Sequence, residues 1–182
     1  MSMLRGTAIN LAARLLSVGL VLAITAFTAR LGTAQQGTFA LFTSIEGVLL
    51  ALFSGFGIAL ARRVSHHREA PGALLTSTAL ACIGLGLVAA ALLWAVARFG
   101  PANYTMLWLL ALAAPLLLLA PNLAGLWLGE GRMLPMAAVS LAPPLLTLAG
   151  LGLLWWLQLA ALPQVLAAWV LAKVCVGLAV LL

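Results

Sequence analysis

The sequence predicts an all-α membrane protein, with six transmembrane helices in one up-and-down bundle. Three observations predict it. Of 182 residues, 65% are hydrophobic and 7% are charged, and the mean hydropathy is +1.23. A soluble domain carries about 25% charged residues, so this chain has too little polar surface to cover a globule. The apolar residues also fall into six runs, each close to the ~20 residues that one bilayer crossing needs. Finally, the breaks between runs are short and rich in Gly, Pro or charge, which joins antiparallel neighbours in one unit.

The first run spans about 8–29 and contains NLAARLLSVGL, with Arg5 ahead of it. A cleaved signal peptide is the alternative, but Asn10 and Arg14 carry polarity deep into the run and no good A-x-A site follows. RLGTAQQGT leads to a second run at about 38–61, and RRVSHHREAPG to a third at about 73–97. RFGPANY precedes the fourth, at about 105–128, and GEGRM the fifth, at about 134–157. QLAALP opens the sixth, at about 162–182. The chain stops in VGLAVLL, lipid-type sequence with no basic flank. That ending points to the first half of a longer protein, with a complete short protein as the alternative.

The net charge of +6 comes from nine cations lying mostly at the ends of the runs. That placement fits the positive-inside rule and excludes a nucleic-acid footprint, so no nucleic-acid partner is expected. With the N-terminus cytoplasmic, the inside collects Arg5, Arg62, Arg63, Arg68 and Arg132, and the outside keeps Arg30 and Arg98. Five against two favours that orientation. Cys82 and Cys175 lie within apolar runs and read as small hydrophobes.

Polar groups inside the runs are the candidates for function. Thr7, Asn10, Arg14, Ser17, Thr25 and Thr28 fall near one face of the first helix. Interhelical hydrogen bonding accounts for the hydroxyls. Arg14 has two readings, snorkelling to headgroups about two turns away or facing a polar cavity. Glu46 lies about eight residues into the second helix, and Lys173 about eleven into the sixth. Both helices start from the same side, so the two charges match in depth to about one turn and form a candidate ion pair. Separate partners or water are the alternative.

Pro115 and Pro121 are expected to interrupt the fourth helix, and Pro143 with Pro144 the fifth. Each proline frees a carbonyl that needs another donor, and Asn122 stands beside one of them. Gly55 and Gly57 loosen the second helix. His66, His67 and Glu69 read as a solvated basic loop, and the GLG triplets at 84–86 and 150–152 as helix-packing sites. There is no nucleophile–base–orienter set, so neither catalysis, cofactor nor metal is expected.

The first two runs and their connection carry a resemblance. RLGTAQQGTFALF, with Leu31-Gly32, Gly37 and Phe39, is followed by SGFGIALARRVSH, with Gly55, Gly57, Arg62 and Arg63. This resembles the N-terminal part of the polysaccharide-export flippases, the O-antigen and lipid-linked oligosaccharide transporters. They belong to the multidrug/oligosaccharidyl-lipid/polysaccharide exporter superfamily. GLWLGEGRM and the Pro-bearing fifth helix fit the same layout, though members usually have two six-helix lobes and this chain supplies one.

The resemblance implies alternating access around a central cavity that accepts an anionic, lipid-pyrophosphate-linked oligosaccharide in the cytoplasmic (inner) membrane. It implies membrane lipids as surroundings, and a C-terminal lobe or a second copy of the chain to complete the cavity. Arg14, with Asn10 and Ser17, is then the first candidate for phosphate contact, since guanidinium forks onto phosphate oxygens. Lys173 is the second unless Glu46 neutralises it. A drug or cation antiporter of the superfamily is the nearest rival, but a single intramembrane acid against Arg14 and Lys173 favours an anionic substrate. A non-transporting scaffold or assembly subunit would use the same charges and prolines only for packing.

Overall fold

The computed structural model describes residues 3–67 and 71–181. Arg68, Glu69 and Leu182 lie outside the described residues, as do the side chains of Arg5, Thr7 and His67. The described chain is helical throughout, without strands. Helix α1 is Met3–Ala29, α2 Thr33–Phe53 and α3 Gly55–Arg62, the last extended by one π-helical turn, Arg63–His67. Then come α4 (Pro71–Phe99), a 3-10 turn (Ala102–Tyr104), α5 (Leu107–Leu117), α6 (Leu119–Leu123) and α7 (Gly125–Gly129). Helices α8 (Met133–Trp156) and α9 (Leu162–Ala179) complete the order. Grouping α2 with α3, and α5 through α7, leaves six helical rods long and apolar enough to cross a membrane.

Every rod overlaps its expected run, but the ends move. The second begins at Thr33 rather than about 38, because the polar stretch TAQQGT is already helical after the turn at Gly32, where φ is +111°. Starting a helix at its first apolar residue misses a polar first turn. The first rod likewise starts at Met3, and the third runs two residues further at each end.

The fourth rod forms the centre of the bundle. α5 packs against α4 and α9, and Leu107, Leu110, Ala114, Leu117, Leu118 and Leu119 are buried. α1 lies along α8, and α8 along α9. Gly86 of α4 lets that helix close onto the Pro115 backbone, and Gly177 of α9 sits where a methyl would lie 2.6 Å from the Leu116 carbonyl oxygen. Small residues permit such approach where no water drives helices together. Of the GLG triplets, Gly86 and Gly150 meet neighbours, whereas Gly84 and Gly152 face open space. Leu15, Leu22, Leu52, Leu80, Leu92 and Leu112 are exposed on the outside, the distribution expected of a surface solvated by lipid.

The cations segregate by end. Gly6 of α1 packs on Met133, and Gly129 of α7 on Ala61 and Val64, which brings Arg62, Arg63 and Arg132 to the end where α1 begins. Arg30 follows the opposite end of α1 and Arg98 lies in the last turn of α4, at the end where Phe27 and Trp155 meet edge to face at 5.0 Å.

The prolines act less simply than expected. The fourth rod is interrupted at Leu118 and Ala124, each three residues beyond Pro115 or Pro121. The fifth is a correction: α8 continues without interruption through Pro143 and Pro144. Pro144 cannot donate to the Ser140 carbonyl four residues earlier. The Ser17 hydroxyl of α1 points to that carbonyl at 3.5 Å, so the vacated acceptor becomes an interhelical contact.

Candidate functional site

A cavity of about 550 Å³ opens between α1, α2, α8 and α9, with α6 beneath it. α1 contributes Ser17, Val21 and Thr25 at spacings of four, one face of a helix. α2 contributes Thr43, Glu46 and Leu50 at spacings of three and four, and α9 contributes Trp169 and Lys173, one turn apart. The wall from α8 carries Ser140, Pro143, Pro144 and Thr147, and Pro121 closes the fourth-rod side.

Glu46 is the chemical centre. It is 3% exposed, and both of its carboxylate oxygens are occupied. Lys173 Nζ pairs with Oε1, and the Trp169 indole N–H donates to Oε2 at 2.7 Å. The Lys173 ammonium also lies 4.2 Å from the Trp169 ring centroid, a cation–π contact. Phe39 meets Trp169 edge to face at 5.5 Å, which fixes the indole plane that aims its N–H. A charge buried in this way is tolerable only when paired and hydrogen-bonded. Trp169 and Lys173 supply both donors from successive turns of α9. Lys173 itself is 20% exposed and reaches the cavity from one side of the pair.

The hydroxyls lining the cavity are turned to the backbone. Thr25 donates to the Val21 carbonyl at 2.9 Å, Thr43 to Phe39 at 3.1 Å, Ser140 to Ala137 at 2.8 Å and Thr147 to Pro143 at 2.8 Å. Such back-bonding commits the proton and leaves an oxygen lone pair facing the space.

Behind the cavity, two broken rods are tied together. The Asn122 side-chain oxygen accepts the Gly57 backbone N–H at 2.9 Å, and its amide donates to the Leu118 carbonyl at 2.8 Å. Gly57 is near the start of α3, where the break at Ser54 leaves N–H groups without helical partners.

The structure therefore brings Glu46, Lys173, Ser17, Pro121, Pro143 and Pro144 into one site. Pro115 lies outside its lining, packed against Gly86. Arg14 and Asn10 are not in the lining either; Arg14 is exposed and Asn10 half-buried. Arg14 is on the face of α1 that carries Val21 and Thr25, seven and eleven residues on, and stands about one turn from Ser17 toward the cation-rich end. Sequence reasoning missed Trp169, whose position four residues before Lys173 was the available signal. It also missed Thr43 and Thr147, which need the assembled bundle to be seen as cavity walls.

Compared with known proteins, the chain matches no family model, no curated protein and no solved structure.

Proposed function

We propose that this chain is the N-terminal lobe of a flippase that moves a lipid-pyrophosphate-linked oligosaccharide across the cytoplasmic membrane by alternating access, for polysaccharide biosynthesis and export. The observation that carries the reading is the largely apolar cavity holding a buried Glu46–Lys173 pair, walled by proline-bearing helices. A packing scaffold has no use for such a space, and filling it with apolar side chains would be more stabilising than a buried ion pair. The polar face of α1 continues from the cavity through Ser17 to Arg14 and Asn10, a path for an anionic headgroup from the cation-rich end. By the positive-inside rule that end is cytoplasmic. A second lobe or a second copy of the chain completes the cavity.

The test is export of lipid-linked glycan in cells whose own exporter has been deleted. Arg14→Ala is expected to lower export at least tenfold while the protein still inserts and accumulates, because it removes a guanidinium fork from the polar face of α1 one turn from the cavity. Normal export by a stably expressed Arg14→Ala protein would refute the phosphate role of Arg14.

A further inference from the structure

We propose that Glu46 and Lys173 form an exchangeable pair: an anion entering the cavity takes Lys173 from Glu46, and the released carboxylate takes up one proton. The proposal rests on the anionic-substrate reading above and adds its coupling, one proton bound with each anionic charge that the site accepts.

The donors around the cavity lead to it. Thr25, Thr43, Ser140 and Thr147 spend their hydroxyl protons on backbone carbonyls, and Ser17 points to the Ser140 carbonyl. The Trp169 N–H is held by Glu46. Among the described residues, the ammonium of Lys173 is the one cation in the lining, and it has three donors of which Glu46 takes one. An anion that reaches this depth therefore binds Lys173.

The consequence for Glu46 follows from burial. Its carboxylate is 3% exposed, and among the described residues its charge is balanced by Lys173 alone. α5 and α6, on the fourth-rod side, carry no titratable group, and neither does α8. On α1, Arg14 lies outside the cavity lining, and so does Tyr104, which ends the 3-10 turn and packs against the core. Once Lys173 turns to the anion, nothing else on the facing helices neutralises Glu46. A lone buried carboxylate next to an incoming anion is untenable, and protonation removes the charge. The Trp169 N–H remains on Oε2, a bond that a neutral carboxyl also accepts. The proton arrives from water through the cavity, Lys173 keeps its own protons, and no covalent bond between heavy atoms changes. Formal charge balances, with one anionic charge and one proton added to a neutral pair. Linkage requires the reverse effect as well, so acid strengthens anion binding.

Farnesyl methyl phosphate is a suitable probe, because its single negative charge does not titrate near neutral pH. Calorimetry of the purified chain in two buffers of different ionisation heat counts the protons taken up per probe bound. The wild type is expected to take up about one, and its Kd to rise about tenfold per pH unit across the range where the exchange operates. Glu46→Gln is expected to bind with no proton uptake and a flat pH profile. The double variant Glu46→Gln/Lys173→Met, which leaves no lone charge, is expected to lose at least tenfold in affinity. Wild-type binding with no proton uptake and a flat profile would overturn the exchange, even if no variant folds. If the wild type fails to bind the probe at any pH, the anionic-lipid reading falls and takes the exchange with it. Binding with proton uptake in both wild type and Glu46→Gln would assign the proton elsewhere and overturn the role of Glu46.

Discussion

The Asn122 side chain joins two broken helices, accepting the Gly57 backbone N–H at 2.9 Å while its amide holds the Leu118 carbonyl at 2.8 Å. Asn122 is 1% exposed, so neither group it satisfies has water to fall back on. Asn122→Ala strands the Gly57 N–H and is expected to destabilise by about 2 kcal/mol. Thermal unfolding in detergent reads this as a lower midpoint. An unchanged midpoint would mean that the interruptions in the second and fourth rods do not depend on this tie.

The glycines separate into two groups with opposite expectations. A methyl at Gly177 would sit 2.6 Å from the Leu116 carbonyl oxygen, and one at Gly57 would sit 3.1 Å from the Asn122 Cα. Both obstacles are backbone, so Gly177→Ala and Gly57→Ala are each expected to destabilise by about 1–3 kcal/mol. Gly84→Ala and Gly152→Ala meet open space and are expected to be neutral or slightly stabilising, since Ala is the better helix former. The same melting assay compares all four. Equal losses in both groups would contradict the close approaches.

Removing one partner of the buried pair should do more damage than removing both. Lys173→Met leaves the Glu46 carboxylate uncompensated, and breaking a buried pair this way costs about 3–5 kcal/mol. Adding Glu46→Gln removes the charge that was stranded, so the double variant is expected to regain most of that loss. Melting curves of the three proteins decide it, and a double variant no more stable than Lys173→Met would contradict the pairing.

How much of this was legible without coordinates differs from residue to residue. The six rods follow from apolar length alone, because a bilayer crossing sets a minimum that composition either meets or does not. The pairing of Glu46 with Lys173 was accessible by counting rise along two helices, although α2 begins at Thr33, so the count to Glu46 runs longer than the expected start implied while that to Lys173 is unchanged. Trp169 was legible only in its place one turn before Lys173, since an indole in an apolar helix looks the same facing lipid or facing a carboxylate. The uninterrupted α8 was not legible. Pro143 and Pro144 suggest a break, and only the position of Ser17 across the interface shows where one freed carbonyl finds a donor. Arg14 lies between these cases, its face on α1 readable from spacing and its place beyond the cavity lining not.

Water access along α1 provides the last expectation. Ser17, Val21 and Thr25 line the cavity, while Leu15 and Leu22 are 66% and 64% exposed on the bundle exterior. In a variant with Cys82 and Cys175 replaced by Ala, single cysteines at 14, 17, 21 and 25 are expected to react with a membrane-impermeant, charged thiol reagent. Cysteines at 15 and 22 face acyl chains, where thiolate does not form, and are expected to be at least tenfold slower. The order along the reactive face is informative as well. Arg14 stands nearer the cation-rich end than Ser17, so reagent arriving from that side should label 14 before 17 and 17 before 25. Equal rates at 15 and 17 would make α1 wet on all sides, inconsistent with a lipid-facing helix. Silence at every position would mean that the space around Glu46 is sealed from water. Protons and anions would then have no route to Glu46 and Lys173, and the pair would be a packing element of the bundle.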